Sequence, residues 1–252
     1  MKSYYGKVIK IGREFFGKKI PFLVTCFLGT LIFIGMLLSS SAQLQLGNVF
    51  FGKVPKLYNI TLAHFFFKHA SYPLFGRAEP YAHYQLSRTY FIQGKLNISI
   101  SEAEKELEEY PENIRTHYIL GLTYGYLNQE VLAIEHFSKF IEANPTSWAA
   151  RNDKAWLEFR IGKIDDALKT VEPIAHDIKN PWVQNTYGTL LMNKGRYAEA
   201  KEAYLHAKRI TDEMTEESWG KAYPGNDPRI YGVGFSAMKQ SIANNLHLIE
   251  NK

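Results

Sequence analysis

The chain has 252 residues and an ordinary globular composition, 46% hydrophobic and 22% charged, which predicts one or two domains, and its single cysteine excludes an internal disulfide. Its net charge of +5 is concentrated at one end: residues 1–77 hold ten Lys/Arg and one acidic residue, whereas residues 78–252 hold twenty Lys/Arg and twenty-four acidic residues. That acidic balance argues against nucleic acid as a partner of the C-terminal part, since phosphate neutralisation needs a basic face.

The N-terminal region is predicted to cross a membrane. Residues 1–19 form a basic tail, and residues 20–52 contain no charged side chain. Residues 20–38 are overwhelmingly apolar, and about 20 residues of α-helix cover the roughly 30 Å hydrocarbon core of a bilayer. We therefore expect a transmembrane signal anchor within residues 20–42. The basic tail predicts a cytoplasmic N-terminus and export of the remainder, to the periplasm or cell surface in a bacterium.

Three other interpretations of this segment stay open. The small residues Ser40, Ser41 and Ala42 would suit a cleavable signal peptide, although such peptides have apolar regions of only about 7–15 residues. A lipoprotein signal would end at Cys26, but apolar sequence continues well beyond that residue. A buried core helix would need neighbours that cover it on all sides.

Residues 43–79 are predicted to contain a short linker, residues 43–54, followed by an aromatic helix. The helix, residues 57–70, carries Lys68 and two histidines, so it is not expected to span a bilayer. Its histidines, five residues apart, are poorly spaced for a shared metal. Two interpretations remain: an incomplete terminal repeat whose aromatic side covers the next one, or an interfacial helix lying on the membrane.

Small and aromatic residues then recur at fixed offsets through residues 80–213. The pattern returns after 34, 34 and 33 residues, and glycines at positions 94, 162 and 195 share one offset. Its clearest set consists of Leu120, Gly121, Tyr124, Ala133, Phe137 and Pro145. This spacing resembles the tetratricopeptide repeat, whose units are paired helices of 34 residues. The resemblance implies an all-α solenoid of four helical hairpins, residues 80–113, 114–147, 148–180 and 181–213, preceded by the transmembrane helix.

The repeat has a mechanical cause. A single hairpin cannot bury its apolar face, so hairpins stack on one another. Within a hairpin, small residues such as Gly121 and Ala133 are expected where the two helices approach most closely. Two departures stand out in the third unit: Glu158 occupies a position where an aromatic residue is usual, and Pro173 should kink or end the second helix.

Residues 214–252 are predicted to form a loop followed by a closing helix. Residues 215–228 contain Gly and Pro, and residues 236–249 place apolar side chains at helical spacing. The closing helix is expected to cap the last repeat; docking onto a partner is the alternative.

The resemblance also implies a binding surface. In this family the first helix of each unit lines a concave groove that holds a protein or peptide, and Tyr, Trp and Arg are the residue types that dominate binding energies at interfaces. Carrying these positions over gives Tyr81, Tyr84, Arg88, Phe91, Arg115, Tyr118, Leu122, Tyr126, Asn152, Trp156, Phe159, Arg160, Trp182, Asn185, Met192 and Asn193. For each tyrosine, internal packing is the alternative.

No motif of an enzyme accompanies the repeats. The sequence has no phosphate-binding glycine loop, no His-Glu-x-x-His and no Gly-x-Ser-x-Gly. The acidic residues between positions 102 and 109 are expected to form a solvated helix face. We therefore expect no catalytic residue, cofactor or metal.

The sequence thus predicts a membrane-anchored tetratricopeptide protein that serves as a scaffold or assembly subunit of an envelope complex. The bilayer, through residues 20–42, and a protein or peptide in the groove are the expected partners. An accessory subunit of a membrane enzyme, or an import-receptor-like protein with cytosolic repeats, is the alternative. The sequence does not indicate the partner's identity or the oligomeric state.

Overall fold

The computed structural model describes residues 24–30, 34–35, 39–74, 76–176, 179–222 and 231–251. The chain divides into two compact modules, an N-terminal module (Met1–Leu86) and a repeat module (Ser87–Lys252). In the described residues all regular secondary structure is helical. The all-α class expected from the sequence is therefore confirmed for this part of the chain.

Twelve α-helices with defined bounds follow one another along the chain. A π-helical turn (Val49–Lys53) and a 3₁₀ turn (Pro55–Leu57) connect the first two. The helices are α1 (Ser40–Asn48), α2 (Ile60–Ser71), α3 (Ala82–Ile92), α4 (Leu96–Glu109), α5 (Arg115–Tyr126), α6 (Glu130–Ala143), α7 (Trp148–Arg160), α8 (Ile164–Ala175), α9 (Pro181–Asn193), α10 (Tyr197–Glu213), α11 (Glu216–Ala222) and α12 (Tyr231–Glu250).

Helices α3 to α10 form four consecutive hairpins, each with an A helix followed by a B helix. The turn between A and B needs one residue in the left-handed region. Gly94, Gly162 and Gly195 supply it with φ of 72°, 79° and 75°. In the second hairpin Asn128, with φ 57°, takes the place of the glycine. Asparagine adopts this left-handed conformation more readily than most residues, so the turn can form without glycine.

In the second and fourth hairpins, the two helices meet at a glycine on A and an aromatic ring on B. A Cβ atom added to Gly188 would lie 2.8 Å from the Tyr204 ring, and one on Gly121 would lie 3.0 Å from the Phe137 ring. Both rings are almost fully buried. Glycine is therefore required because the ring packs directly against the helix backbone.

The first and third hairpins have no such ring, and polar contacts join their helices instead. Ser87 Oγ donates to the Ser99 carbonyl oxygen at 2.8 Å, and Ser99 Oγ donates to the Ser87 carbonyl oxygen at 3.0 Å. In the third hairpin the buried Glu158 accepts from Lys154 Nζ and from Thr170 Oγ1, each at 2.7 Å. Glu158 is thus ion-paired with Lys154 of its own helix and links α7 to α8 through the Thr170 hydroxyl, at a position where an aromatic residue was expected.

A large hydrophobic cluster lies between the third and fourth hairpins and the final helix. Val171, Leu190, Leu191 and Tyr204 are buried in it, and Ile249 of α12 belongs to the same cluster. Pro173 lies inside α8, which ends two residues later at Ala175. Helix α12 is longer than the sequence suggested.

In the N-terminal module, helices α1 and α2 pack together. Ala63, Phe67 and Ala70 form the fully buried side of α2, and Gly47 of α1 lies directly against the Phe67 ring. Ser40 Oγ donates to the Ala70 carbonyl oxygen at 2.6 Å. The sequence suggested a linker at residues 43–54, but these tertiary contacts hold its first half as a helix.

The expected transmembrane segment, residues 20–42, lies partly outside the described residues. Residues 24–30 and 34–35 of it are helical, and Ser39 caps the start of α1. In the part of the chain that the structure describes, no helix combines the length and the apolar character that crossing a membrane requires.

The glycine contact is testable by two alanine substitutions. Gly188→Ala should lower the melting temperature, because the new methyl group must displace the buried Tyr204 ring; overpacking costs about 1–3 kcal/mol, more than the roughly 1 kcal/mol gained in helix propensity. Gly125→Ala is the matched control, since its methyl group would lie 3.4 Å from Leu157 Cδ2, an ordinary contact. Thermal unfolding followed by circular dichroism should show the control unchanged or stabilised. Equal melting temperatures for the two variants would contradict the close approach.

Candidate partner-binding face

Side chains of successive A helices meet along one face of the repeat module, which we call the A-helix face. Phe91 of α3 meets Tyr126 of α5 edge to face, with ring centroids 5.2 Å apart. Tyr118 Oη of α5 donates to Asp153 Oδ2 of α7 at 3.2 Å. Residues about one repeat apart in sequence are thereby brought side by side, as the sequence-based groove requires.

Two large aromatic side chains on this face remain open to solvent. Tyr126 is 69% exposed and Trp156 is 44% exposed. The Trp156 ring packs against the Phe159 ring, with centroids 5.4 Å apart. Exposed aromatic rings that are held in place by neighbouring rings lose little conformational entropy on binding, which favours their use as contact points.

The arginines of the predicted groove differ in their availability. Arg160 is occupied: its Nη2 lies 2.9 Å from Glu130 Oε1 and 2.6 Å from Asn128 Oδ1, so it ties α7 to the turn of the preceding hairpin. Arg88 is half-buried and makes other contacts. Arg115 is exposed, and it forms no ion pair or hydrogen bond with the described residues. Arg115 is therefore the best placed cation for an anionic ligand group.

Asn152, another predicted groove residue, is not available on the surface. It is buried, and its side-chain oxygen has no hydrogen-bond partner among the described residues. A buried acceptor without a donor costs about 1–3 kcal/mol. An N–H group that reached this oxygen would remove that cost.

In the fourth hairpin, the predicted groove residues are engaged by the C-terminal segment. Trp182 stacks on Trp219 of α11 at 5.2 Å and lies 5.8 Å from Trp148 of α7. Asn245 Nδ2 of α12 donates to Asn185 Oδ1 at 3.0 Å. Trp182 and Asn185 thus have internal partners, which leaves the second and third hairpins as the more open part of the face.

The remaining predicted positions fall into three groups. Asn193 is exposed and donates to the carbonyl oxygen of Thr189 in its own helix at 2.8 Å. Leu122 and Met192 are half-buried beside the hydrophobic clusters of the repeat module. Tyr81 and Tyr84 lie in the N-terminal module, where their rings meet edge to face at 6.3 Å. Tyr81 has φ 74°, an uncommon conformation for a bulky side chain.

A histidine pair between α5 and α6 was not anticipated from the sequence. His117 Nδ1 and His136 Nδ1 are 2.9 Å apart and share one hydrogen bond, and the His136 ring stacks on Tyr124. His117 lies near the start of α5 and His136 lies halfway along α6, so the antiparallel packing of the two helices brings the rings together.

Burial makes the charged form of both histidines unfavourable. Burial, together with the positive charges of His117 and Lys139, lowers the pKa of His136 to about 4, against the opposing effect of Glu135. Burial and Lys139 likewise lower the pKa of His117. Both rings are therefore neutral in the folded protein at neutral pH.

No metal-binding cluster accompanies this pair. Across the described ranges, no group of three or more His, Cys, Asp or Glu side chains is arranged to hold a metal ion. The histidines that the sequence placed on α2, His64 and His69, lie in the N-terminal module; His69 Nδ1 is 2.8 Å from the carbonyl oxygen of Phe65.

Comparison with known proteins supports the repeat assignment. The family model described as "Tetratricopeptide repeat" matches residues 114–147 and 183–213. No curated protein matches the chain significantly. The two matched stretches coincide with the second hairpin and with most of the fourth.

Solved structures share the fold at low sequence identity. MamA of strain MSR-1 has a TM-score of 0.55 at 19% identity, covering 69% of this chain and 97% of its own. A double mutant of MamA RS-1 has a TM-score of 0.58 at 14% identity, covering 68% and 95%. YrrB, described as a TPR protein with an unusual peptide-binding site, has a TM-score of 0.57 at 19% identity, covering 73% and 92%. These likenesses establish a tetratricopeptide-type helical solenoid.

The histidine pair predicts an acid-sensitive stability. The unfolded chain binds protons at histidine near pH 6.5, whereas folded His136 resists protonation down to about pH 4. The contribution of the neutral histidine pair to the free energy of unfolding is therefore fully present above pH 6.5. It is lost progressively as the pH falls towards 4. His136→Asn removes the ionisable ring and should make the melting temperature less dependent on pH across this window.

The matched control is His247→Asn at an exposed position on α12. It should keep the pH dependence of the unsubstituted protein. If His136→Asn and His247→Asn gave the same dependence of melting temperature on pH, the histidine pair would not be the source of acid sensitivity.

Proposed function

We propose that this chain is a membrane-attached scaffold that binds a segment of a partner protein along the A-helix face. The observation that carries the proposal is the row of exposed rings and the open arginine on successive A helices, Arg115, Tyr126 and Trp156. Tyr, Trp and Arg supply most of the binding energy at protein interfaces, and here they are presented by a rigid helical stack.

The chemistry of the face indicates what kind of segment it takes. Arg115 offers a fork of N–H donors to a carboxylate, either an acidic side chain or a C-terminus. Tyr126 and Trp156 offer apolar surface to a bulky side chain. We therefore propose a peptide that combines an acidic group with an apolar residue. The peptide-binding site ascribed to YrrB, which shares the fold, is consistent with this use of the solenoid.

Membrane attachment is the second part of the proposal. In the described part of residues 20–42, the apolar side chains of Val24, Phe27, Leu28 and Ile34 are exposed. Thr30 Oγ1 donates to the carbonyl oxygen of Cys26 at 2.8 Å, which satisfies its hydroxyl within the helix. Both features suit a helix surrounded by lipid. Together with the basic tail, they support a signal anchor that places the repeats outside the cytoplasm, in an envelope complex.

Partner binding is tested by photo-crosslinking in native membranes. A photoreactive phenylalanine at position 156 should form a discrete adduct, and one at position 205 should not. Leu205, on the B helix α10, is the control because it is 48% exposed, close to the 44% of Trp156. Arg115→Glu should reduce the adduct from position 156 about tenfold or more, whereas Arg209→Glu, the same charge change on α10, should not. Equal adducts from positions 156 and 205 would contradict the assignment of the face.

Membrane attachment is tested by extraction of the full chain with alkaline carbonate. The unsubstituted protein should remain in the membrane pellet. Replacing both Phe27 and Leu31 with arginine should release it, because each arginine near the centre of a membrane helix costs roughly 2.5–3.5 kcal/mol. Leu205→Arg is the control and should not change the distribution. Release of the unsubstituted protein by carbonate would disprove the anchor.

A further inference from the structure

Helix α2 leaves an aromatic surface uncovered within the N-terminal module. Its buried side is formed by Ala63, Phe67 and Ala70, and the other side carries Leu62 and Phe65, which is 51% exposed. Ring contacts run without a break from Phe50 to Phe66 at 5.6 Å, from Phe66 to Phe65 at 5.3 Å, and from Phe65 to His69 at 4.3 Å. We call this row, with Leu62, the aromatic ladder.

Cations flank the aromatic ladder, and the described sequence around them, residues 39–74 and 76–78, contains no acidic residue. Lys53 follows Phe50 by three residues, Lys68 follows Phe65 by three residues, and Lys56 lies between the two helices; all three are exposed. Residues 39–78 contain no Asp or Glu at all, whereas residues 78–252 carry twenty-four. A local excess of positive charge beside exposed rings is the composition of a surface that meets an anionic, partly apolar partner.

A lipid surface fits this combination better than a protein does. Aromatic and aliphatic side chains enter the boundary between headgroups and acyl chains, while lysines remain at the level of anionic headgroups. The ladder also follows closely, in the sequence, the apolar residues 20–38 proposed to enter the bilayer. A protein partner would be expected to supply acidic side chains and would need no such proximity.

We propose that the aromatic ladder and its flanking lysines dock the N-terminal module onto an anionic membrane surface. Phe65 and Leu62 enter the interface, and Lys53, Lys56 and Lys68 bind the headgroups. The docking does not require residues 20–42 to cross the bilayer, and it is independent of peptide binding by the A-helix face. If both attachments exist, the anchor holds the chain to the membrane and the docking fixes the orientation of the module against it.

The experiment places an environment-sensitive fluorophore (NBD) on the full chain in lipid nanodiscs. Phe65→Cys is made with Cys26→Ser, which removes the only native cysteine, and Lys201→Cys on α10 serves as the reference position. The nanodiscs contain phosphatidylcholine alone or an equal mixture with phosphatidylglycerol. We expect the probe at position 65 to shift to the blue in the anionic discs and to be quenched by lipids that carry a doxyl group on the acyl chain. The probe at position 201 should show neither effect.

Charge recognition is tested with two triple variants of equal charge. Lys53, Lys56 and Lys68 replaced by glutamine should abolish most of the blue shift, since each lysine near an anionic surface contributes about fivefold to binding. Lys163, Lys169 and Lys201 replaced by glutamine, all exposed in the repeat module, should leave the probe at position 65 unchanged. High salt should weaken the shift in the unsubstituted chain because the headgroup attraction is screened.

Each other outcome overturns the docking. A probe at position 65 that stays in water in both lipids, on a chain that remains in the disc, would show that the anchor alone holds the protein and would assign the ladder to a protein partner. A blue shift of equal size in both lipids and in both triple variants would show mere proximity to the bilayer. A chain that leaves the discs altogether would disprove docking and anchor together.

Discussion

The close approach of two helices at a small buried residue is the constraint on which the repeat module depends, and in the second and fourth hairpins it brings a glycine backbone against an aromatic ring. Gly188 against Tyr204 and Gly121 against Phe137 bring the helices of a hairpin close enough to bury the ring completely. Because the ring is buried within its own hairpin, the other apolar side chains of that hairpin stay exposed until the next hairpin covers them. Stacking is therefore a consequence of local packing, and the A helices are aligned as a result of it.

Alignment of the A helices is what produces a binding face. Contacts such as Tyr118 with Asp153, and Arg160 with the turn of the preceding hairpin, join neighbouring units without covering Tyr126 or Trp156. At the C-terminal end, α11 and α12 occupy the same side and engage the fourth hairpin. The open part of the face is therefore central, and its cation and rings come from the second and third hairpins.

The spacing of the repeats was predictable, because small and aromatic residues at a fixed offset report a close helix–helix approach that recurs along the chain. The burial and the pairing of individual side chains were not predictable. Asn152 proved buried and Arg160 proved paired with Glu130, since both depend on which groups the neighbouring hairpin presents. The helix Ser40–Asn48 was missed because it has no amphipathic pattern and is held by contacts with residues far along the chain. Membrane attachment remains a prediction from residues 20–42.

The stacked indoles of Trp148, Trp182 and Trp219 give this protein an optical signature. Three of its four tryptophans lie in one row with neighbouring centroids 5.8 Å and 5.2 Å apart, near enough for their electronic transitions to couple. Near-ultraviolet dichroism from that row reports whether the C-terminal segment is seated on the solenoid. Trp156 is not part of this row and lies on the open part of the A-helix face. Its fluorescence emission should therefore respond to a ligand bound on that face.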